Sequence, residues 1–259
     1  MKWTISCLQF DIAYGNPSEN IKKAESLIEK ESKHADVLIL PELWTTGYDL
    51  TNLDLLADDD GLAAQSWLKK TSKTHGVHLV AGSVAVRKGG HIYNTMYIAD
   101  KEGKIVKEYS KAHLFQLMDE HLYLSAGSAD GYFELDGVKS SGLICYDIRF
   151  PEWIRKHTTK GANLLFISAE WPLPRLDHWK SLLIARAIEN QCFIAACNCT
   201  GSNPDNEFAG HSLIIDPWGR ILAEGSKEEG AVRAEVDLEE SEAVRKQIPV
   251  FADLRKDLY

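Results

Sequence analysis

The sequence contains no apolar run close to the roughly 18 residues that a membrane-spanning helix requires. Near the amino terminus, the apolar stretch is interrupted by Thr4, Ser6 and Gln9 and lacks a small-residue cleavage site, so we expect a first strand there and not a signal peptide. Basic residues are also few, with 29 Lys and Arg against 38 Asp and Glu, which gives a formal net charge of −9. This balance argues against nucleic acid or an anionic membrane surface as the main partner.

Cysteine is scarce, and its pattern does not suggest a disulfide framework. Five cysteines, an odd number in a chain of 259 residues, are typical of reduced thiols in the cytosol. Cys192, Cys197 and Cys199, taken with His211, lack the two-residue gap that is usual between zinc-binding cysteines. The chain also has no glycine-rich phosphate loop and no histidine pair at metal-binding spacing. We therefore expect a cytoplasmic protein that uses neither a metal nor a cofactor.

Strand-like and helix-like patterns alternate along the chain, and no linker or low-complexity tract divides it. We therefore predict one α/β domain over residues 1–259. Asn16 and Pro17 are typical of a helix start, and Asp136-Gly137 of a hairpin turn. The segment VHLVAGSVAV, residues 77–86, predicts one strand, and GAVRAEVDL, residues 230–238, predicts the last strand of the chain.

One stretch of the sequence has an internal echo. ADVLILPELW at 35–44 resembles ANLLFISAEW at 162–171, and each follows a predicted helix that itself follows a strand ending in FD or YD. Two related strand-helix-strand halves predict two similar sheets that pack together, with helices outside them.

A candidate nucleophile lies in SGLICYDIRFPE, residues 141–152, where a buried strand gives way to a predicted helix. Catalytic side chains gather at strand ends in α/β folds, and Cys145 occupies such an end. We expect the following helix to lower the pKa of the Cys145 thiol and to offer backbone N–H groups to an oxyanion. An ordinary buried cysteine, in contrast, is an inert apolar side chain.

A cysteine nucleophile needs a base, and none of the nine histidines lies in a context that marks it for this role. A carboxylate is the alternative. Glu42 ends the strand in LILPEL beside apolar Leu43 and Trp44, which favours a desolvated carboxylate with a raised pKa. Lys111, in YSKAHLF, also follows a strand and is a candidate cation for an oxyanion.

Three of these segments, LPELWTTGY, YSKAHLF and GLICYDIRFPE, resemble motifs of the nitrilase superfamily of carbon–nitrogen hydrolases. The resemblance extends over nearly the whole chain, from CLQFDIAYGNPSENI to DPWGRILAEG. It implies a four-layer α-β-β-α sandwich and a Glu-Lys-Cys triad formed by Glu42, Lys111 and Cys145. It also implies a second, assisting glutamate, for which Glu120 is the best match although Asp119 adjoins it, and a homodimer.

Within the superfamily, SAEWPLPRLDHWKSLLIARAIENQ is similar to the branch that holds ω-amidases. This resemblance implies hydrolysis of 2-oxoglutaramate and related 2-oxo acid amides, in the context of bacterial methionine salvage. In the implied mechanism, Glu42 takes the thiol proton, and Lys111 and the backbone N–H of Tyr146 hold the oxyanion. Glu42 then protonates the leaving nitrogen, and Glu120 orients the amide and Lys111.

The far end of an acidic substrate needs a cation, and Arg149 and Arg175 are the candidates. Arg149 has an equal alternative, an ion pair with Asp147 or Glu152. Trp171 and Tyr48 follow the two echoed strand ends and are candidates for the pocket wall, although both also suit ordinary packing.

Other functions stay open at this point. An N-carbamoyl or another short-chain amide is the main alternative substrate, and transfer of the acyl group to an amine is an alternative reaction. An alternative of another class is a catalytically idle protein that binds a metabolite.

Overall fold

The computed structural model describes residues 1–255 and 257–258. In chain order, its strands are β1 (Lys2–Gln9), β2 (Val37–Ile39), β3 (Asp58–Asp59), β4 (His78–Val80), β5 (Val84–Lys88), β6 (His91–Ala99), β7 (Ile105–Ser110), β8 (Tyr132–Leu135), β9 (Val138–Ile144), β10 (Leu164–Ala169), β11 (Phe193–Asn198), β12 (Leu213–Ile215), β13 (Ile221–Glu224) and β14 (Gly230–Asp237). Its helices are α1 (Pro17–Glu31), α2 (Leu53–Leu56), α3 (Leu62–His75), α4 (Glu120–Tyr123), α5 (Pro151–Thr159), α6 (Leu176–Asn190) and α7 (Glu239–Gln247).

The strands form two sheets. The first has eight strands in the order β14-β1-β2-β4-β6-β5-β3, with β7 beside β6, and the second has six in the order β13-β12-β11-β10-β9-β8. Strands β1 and β2 are parallel and joined through α1, and β9 and β10 are parallel and joined through α5. These two units are the predicted strand-helix-strand halves, so the echo in the sequence reflects a repeated piece of the fold.

Alternating side chains of the strands build the layers, as the two-residue period of a strand requires. Ile5 and Cys7 of β1 belong to the same buried cluster as Phe166 of β10, between the sheets. Leu8 of β1 belongs instead to the cluster that contains Ile28 of α1. On the opposite side of the molecule, Trp179 and Leu183 of α6 and Ile154 of α5 pack on the second sheet. The arrangement is a four-layer α-β-β-α sandwich, which confirms the predicted fold.

Several local predictions are confirmed. Helix α1 begins at Pro17, and the Asn16 side chain accepts a hydrogen bond from the Glu19 amide at 3.3 Å. Strands β8 and β9 pair across the tight turn at Asp136 and Gly137, both of which have positive φ. None of the helices in the described part of the chain is long and apolar enough to cross a membrane.

The single strand predicted for residues 77–86 is wrong, because the chain forms β4 and β5 with a turn between them. The turn holds the segment that follows β2: Ser83 Oγ accepts from the Leu43 amide at 2.9 Å, and the Ser83 amide donates to the Pro41 carbonyl at 3.1 Å. Gly82 has φ 56°, and a Cβ there would lie 1.9 Å from the Pro41 oxygen. Only glycine fits this approach, so the break in the strand positions the residues on either side of Glu42.

Candidate active site

Polar side chains gather where strands of both sheets end. Lys111 directly follows β7, Cys145 directly follows β9, and Glu170 directly follows β10, while Glu42 lies three residues beyond β2. Glu120 is the first residue of the short helix α4. The carboxyl ends of parallel strands meet at one edge of a sheet, which is where ligands bind in α/β folds.

Glu42, Lys111 and Glu120 form a buried cluster of ion pairs. Lys111 Nζ lies 2.7 Å from Glu42 Oε1 and 2.5 Å from Glu120 Oε1, and none of the three side chains has any exposed surface. Charged groups are almost never buried unless they are paired. The structure therefore brings together three of the four residues that the nitrilase resemblance assigned to catalysis.

Each carboxylate of the cluster is held by further donors. Asn94 Nδ2 donates to Glu42 Oε1 at 2.8 Å, and the Glu170 backbone N–H donates to Glu42 Oε2 at 3.0 Å. The Tyr48 hydroxyl donates to Glu120 Oε1 at 2.5 Å, and the Phe115 backbone N–H donates to Glu120 Oε2 at 2.7 Å. These bonds fix both carboxylates on either side of the lysine.

The electrostatics of the cluster keep Lys111 charged. Burial alone lowers the pKa of Lys111, but the negative charges of Glu120 and Glu42 outweigh it and raise the pKa above its ordinary value. Burial also raises the pKa of Glu120, and the charge of Lys111 opposes that rise. The cluster therefore presents a permanent ammonium group beside the sulfur of Cys145.

Cys145 occupies a strained turn. Its φ is 43°, a left-handed conformation that costs a non-glycine residue about 1–3 kcal/mol, and its side chain is 5% exposed. The expectation of a lowered thiol pKa is wrong: burial and the negative charge of Glu42 raise it well above the ordinary value, and Lys111 only partly compensates. A turn of 3₁₀ helix, Cys145–Arg149, separates the thiol from helix α5, so the α-helix does not start at the sulfur. The resting thiol is protonated and needs a base.

A buried carboxylate fixes this turn. Asp147 Oδ2 accepts from the Ile144 backbone N–H at 3.0 Å and from the Tyr109 hydroxyl at 2.6 Å. Its other oxygen lies 2.7 Å from His113 Nδ1 and accepts from the His113 backbone N–H at 3.2 Å. Asp147 therefore ties Ile144, the residue before Cys145, to the segment that carries Lys111.

A narrow cleft opens onto Cys145. Its lining residues are Phe115, Met118, Cys145, Tyr146, Arg149, Glu170, Trp171, Pro172 and Arg175. The Arg149 guanidinium lies 4.9 Å from the Trp171 ring centre, and that of Arg175 lies 5.6 Å from the Phe115 ring centre. Within residues 1–255 and 257–258, neither arginine forms a salt bridge. The cleft thus combines apolar walls, two unpaired cations and the candidate nucleophile.

The predicted substrate-binding residues divide into two groups. Tyr146, Arg149, Trp171 and Arg175 line the cleft, whereas Tyr48 is not among its lining residues and donates to Glu120 instead. The alternative ion pair of Arg149 with Asp147 or Glu152 is absent from the described residues, where Arg149 Nη2 lies 3.3 Å from His178 Nδ1.

The comparison with known families agrees with this geometry. The model of the carbon-nitrogen hydrolase family matches residues 4–246, nearly the whole chain. The chain belongs to the carbon-nitrogen hydrolase family. It is therefore an enzyme of that class, which sets aside the alternative of an idle metabolite-binding protein.

Individual relatives of this carbon–nitrogen hydrolase carry informative names. It is 86% identical over 259 residues, the full length of both chains, to the 2-oxoglutaramate amidase of Bacillus subtilis. It is 34% identical over 253 residues to the omega-amidase YafV of Escherichia coli K12, with 96% of this chain and 95% of the relative covered. Among solved structures, the CN-hydrolase superfamily protein XC1258 of Xanthomonas campestris superposes with a TM-score of 0.92 at 30% identity, covering 99% and 98% of the two chains. That protein carries an arsenic adduct in its active site.

Two residues of the hydrolase's site escaped the sequence reasoning. From the sequence, Asp147 is a candidate only as a partner for Arg149, and Glu170 is not a candidate. Glu170 follows an apolar strand within the echoed segment, as Glu42 does, so the sequence signal that marks Glu42 marks Glu170 equally. Asp147 offered no such signal, because its partners Tyr109 and His113 are more than 30 residues away in the chain.

Proposed function

We propose that this carbon–nitrogen hydrolase is an ω-amidase that hydrolyses the terminal amide of 2-oxoglutaramate and releases ammonia through a thioester on Cys145. The supporting observation is a buried glutamate–lysine cluster beside Cys145 at the base of a cleft with two unpaired arginines. The 86% identity to a 2-oxoglutaramate amidase supports the choice of substrate.

The first step activates the nucleophile. Because the pKa of the Cys145 thiol is raised by burial, the thiolate has to be generated at the moment of attack by a nearby base. Glu42 is that base, since its carboxylate is buried beside the thiol and is held in place by three donors, Lys111, Asn94 and the Glu170 backbone N–H. Glu42 takes the thiol proton as the sulfur bonds to the amide carbon.

The second step stabilises the charge that develops on the amide oxygen. The Lys111 ammonium and the backbone N–H of Tyr146 serve as the oxyanion donors, and each such donor is typically worth about 3 kcal/mol. The C–N bond then breaks, the nitrogen takes the proton from Glu42, and ammonia leaves. Water, deprotonated by Glu42, cleaves the thioester to the acid and restores the thiol, so a single carboxylate serves alternately as base and acid.

Glu120 positions the lysine. Its Oε1 accepts from both Lys111 Nζ and the Tyr48 hydroxyl, and together with Glu42 it uses two of the three N–H donors of the ammonium, which leaves one for the substrate. A lysine held on two sides loses little entropy when it binds the oxyanion, which is the advantage of a preorganised donor.

The substrate's carboxylate lies toward Arg149 and Arg175 in this proposal. Both cations face the cleft without a salt-bridge partner in the described residues, and Trp171 packs against the guanidinium of Arg149. A buried or half-buried cation without a counter-ion gains much from an anionic ligand, because few water molecules screen the pair. This arrangement favours a short monoamide of a dicarboxylic acid over a neutral amide.

A substrate panel with ammonia detection tests the proposal. We expect 2-oxoglutaramate to be hydrolysed with a higher kcat/KM than an N-carbamoyl amino acid or a neutral short-chain amide. Cys145→Ala is expected to lose turnover of every amide while it retains the circular dichroism spectrum of the wild type. Preference for the N-carbamoyl compound, or an amine-dependent transfer product instead of the free acid, would overturn the substrate and reaction proposed.

Location and assembly are part of the same proposal. The enzyme is placed in the cytosol, which suits its five buried free cysteines. A homodimer is supported by the exposed apolar side chains of Ile188, Trp218, Ile221 and Leu222, which are 38–51% exposed, with Ile188 beside the turn at Gly219. Light scattering on the eluted protein tests the dimer, and a monomeric mass at micromolar concentration contradicts it. A role in methionine salvage stays a prediction.

A further inference from the structure

The Glu170 side chain has no part in the mechanism above, yet it faces the reaction cleft. Glu170 is 1% exposed, lines the cleft with Cys145, and its Oε1 has no hydrogen-bond partner. Its bond to Glu42 uses the backbone N–H, so the carboxyl group itself is not needed for that contact. A buried polar oxygen without a partner is rare in native proteins, and one that faces a binding cleft points to a ligand that supplies the partner.

The surroundings of Glu170 determine its protonation. Three buried carboxyl groups, those of Glu42, Glu120 and Glu170, share a single buried cation, Lys111, which bonds to the first two only. Burial and the negative charge of Glu42 raise the pKa of the Glu170 carboxyl well above its ordinary value. With Lys111 bonded only to the other two carboxylates and Glu42 close by, this site favours the neutral form of Glu170, whose O–H group is a hydrogen-bond donor.

The chemistry of the substrate leaves one acceptor for this donor. In the proposed mechanism the amide oxygen is held by Lys111 and the Tyr146 backbone, and the distal carboxylate by Arg149 and Arg175. The remaining oxygen of a 2-oxo acid amide is its 2-oxo group. We propose that Glu170 is a specificity-determining residue that donates its carboxyl proton in a hydrogen bond to the 2-oxo oxygen of the substrate. This inference rests on the proposed function and adds the residue that distinguishes a 2-oxo acid amide from its deoxo analogue.

Two variants and two substrates test this role. Glu170→Met removes the donor at similar length, and Glu170→Gln keeps a neutral group with an N–H donor. The substrates are 2-oxoglutaramate and glutaramate, which has a methylene group in place of the 2-oxo carbon. Glu170→Met is expected to lower kcat/KM for 2-oxoglutaramate about 10- to 100-fold, as the loss of a desolvated hydrogen bond does. Its kcat/KM for glutaramate is expected to stay within about threefold of the wild-type value. Glu170→Gln is expected to restore most of the selectivity and to leave the pH profile of kcat/KM unchanged.

The controls separate this inference from the proposed function. Glu102→Gln, at an exposed turn residue, should match the wild type on both substrates. If the wild type does not prefer 2-oxoglutaramate to glutaramate, the proposed substrate class fails and the role of Glu170 fails with it. Only the inference about Glu170 is overturned if the wild type shows the preference and Glu170→Met retains it. The same holds if Glu170→Met lowers kcat/KM equally for both substrates. A shifted pH profile in Glu170→Gln would show an ionised residue that tunes Glu42 and Cys145, and would also overturn it.

A crystal structure decides the contact independently of how well the Glu170 variants fold. In Cys145→Ala soaked with 2-oxoglutaramate, a Glu170 carboxyl oxygen is expected within about 3.2 Å of the 2-oxo oxygen. A substrate whose 2-oxo oxygen contacts only Arg149 or Arg175 would refute the proposal.

Discussion

Replacing Lys111 with methionine tests the buried ion cluster at the centre of the site. The ammonium lies 2.7 Å from Glu42 and 2.5 Å from Glu120, and all three side chains are fully buried. Removing one partner of such a cluster leaves uncompensated buried charge and typically costs about 3–5 kcal/mol of stability. In the proposed mechanism the variant also loses an oxyanion donor, for which a fall in kcat of about 10²- to 10³-fold is typical.

The stability loss in Lys111→Met should depend on pH in a defined direction. Burial already raises the pKa of the Glu120 carboxyl in the folded state, and without the opposing charge of Lys111 that pKa rises further above its unfolded-state value. A carboxyl whose pKa is raised in the folded state destabilises the fold only where it would be ionised in the unfolded state. The difference in the free energy of unfolding between wild type and variant should therefore be larger at pH 8 than at pH 5, because protonation at low pH removes the uncompensated charge.

Urea unfolding at both pH values, together with ammonia release, measures these effects. Lys107→Met is a matched control on strand β7, which directly precedes Lys111, because the partly exposed Lys107 lies 3.6 Å from the partly exposed Asp130. A pair that solvent reaches in this way is worth about 0–1 kcal/mol, far less than a fully buried one. The reasoning is refuted if Lys111→Met loses no more stability than the control, or if its loss is the same at pH 5 and pH 8.

Two further predictions concern the nucleophile turn and the cleft. Asp147→Asn replaces the carboxylate that accepts from the Ile144 amide and the Tyr109 hydroxyl by a group that also donates. It should lower the free energy of unfolding by about 1–3 kcal/mol and lower kcat with little change in KM. An unchanged kcat in the folded variant would contradict a positioning role. Arg149→Leu and Arg175→Leu should each raise KM for 2-oxoglutaramate about tenfold or more and leave KM for a neutral amide unchanged, because only the anionic substrate binds the cation. Equal effects on both substrates would rule out carboxylate anchoring.

Much of the fold was predictable because local signals agreed with the final packing. The echo between residues 35–44 and 162–171 indicated two related halves, and each is now a parallel strand pair with its own helix. Helix α7 was missed because only Ser241 and Val244 of its residues are buried, so the segment lacks an apolar period. The local sequence of residues 77–86 indicates one strand and gives no sign of the break at Gly82. The break depends on the close approach of the Pro41 carbonyl, which is a tertiary contact.

The site was predictable to the extent that chemistry shows in a short motif. Glu42, Lys111 and Cys145 each follow a strand closely, and their segments carry the family resemblance. The pKa of Cys145 was predicted with the wrong sign, because the sequence indicates a helix after the thiol but not the depth of burial or the nearby charge of Glu42. Tyr48 was placed in the pocket wall from its position after β2, whereas its hydroxyl reaches Glu120, a partner 72 residues away in the chain.

The most direct test of the account is the mass of the enzyme when it is quenched with acid during turnover of 2-oxoglutaramate. Thioester catalysis predicts a species heavier by the acyl part of the substrate, on the peptide that contains Cys145, which disappears when the substrate is exhausted. An enzyme that turns over rapidly with no adduct on that peptide, or with the adduct on another residue, would contradict the central role of the buried Glu42–Lys111–Cys145 site.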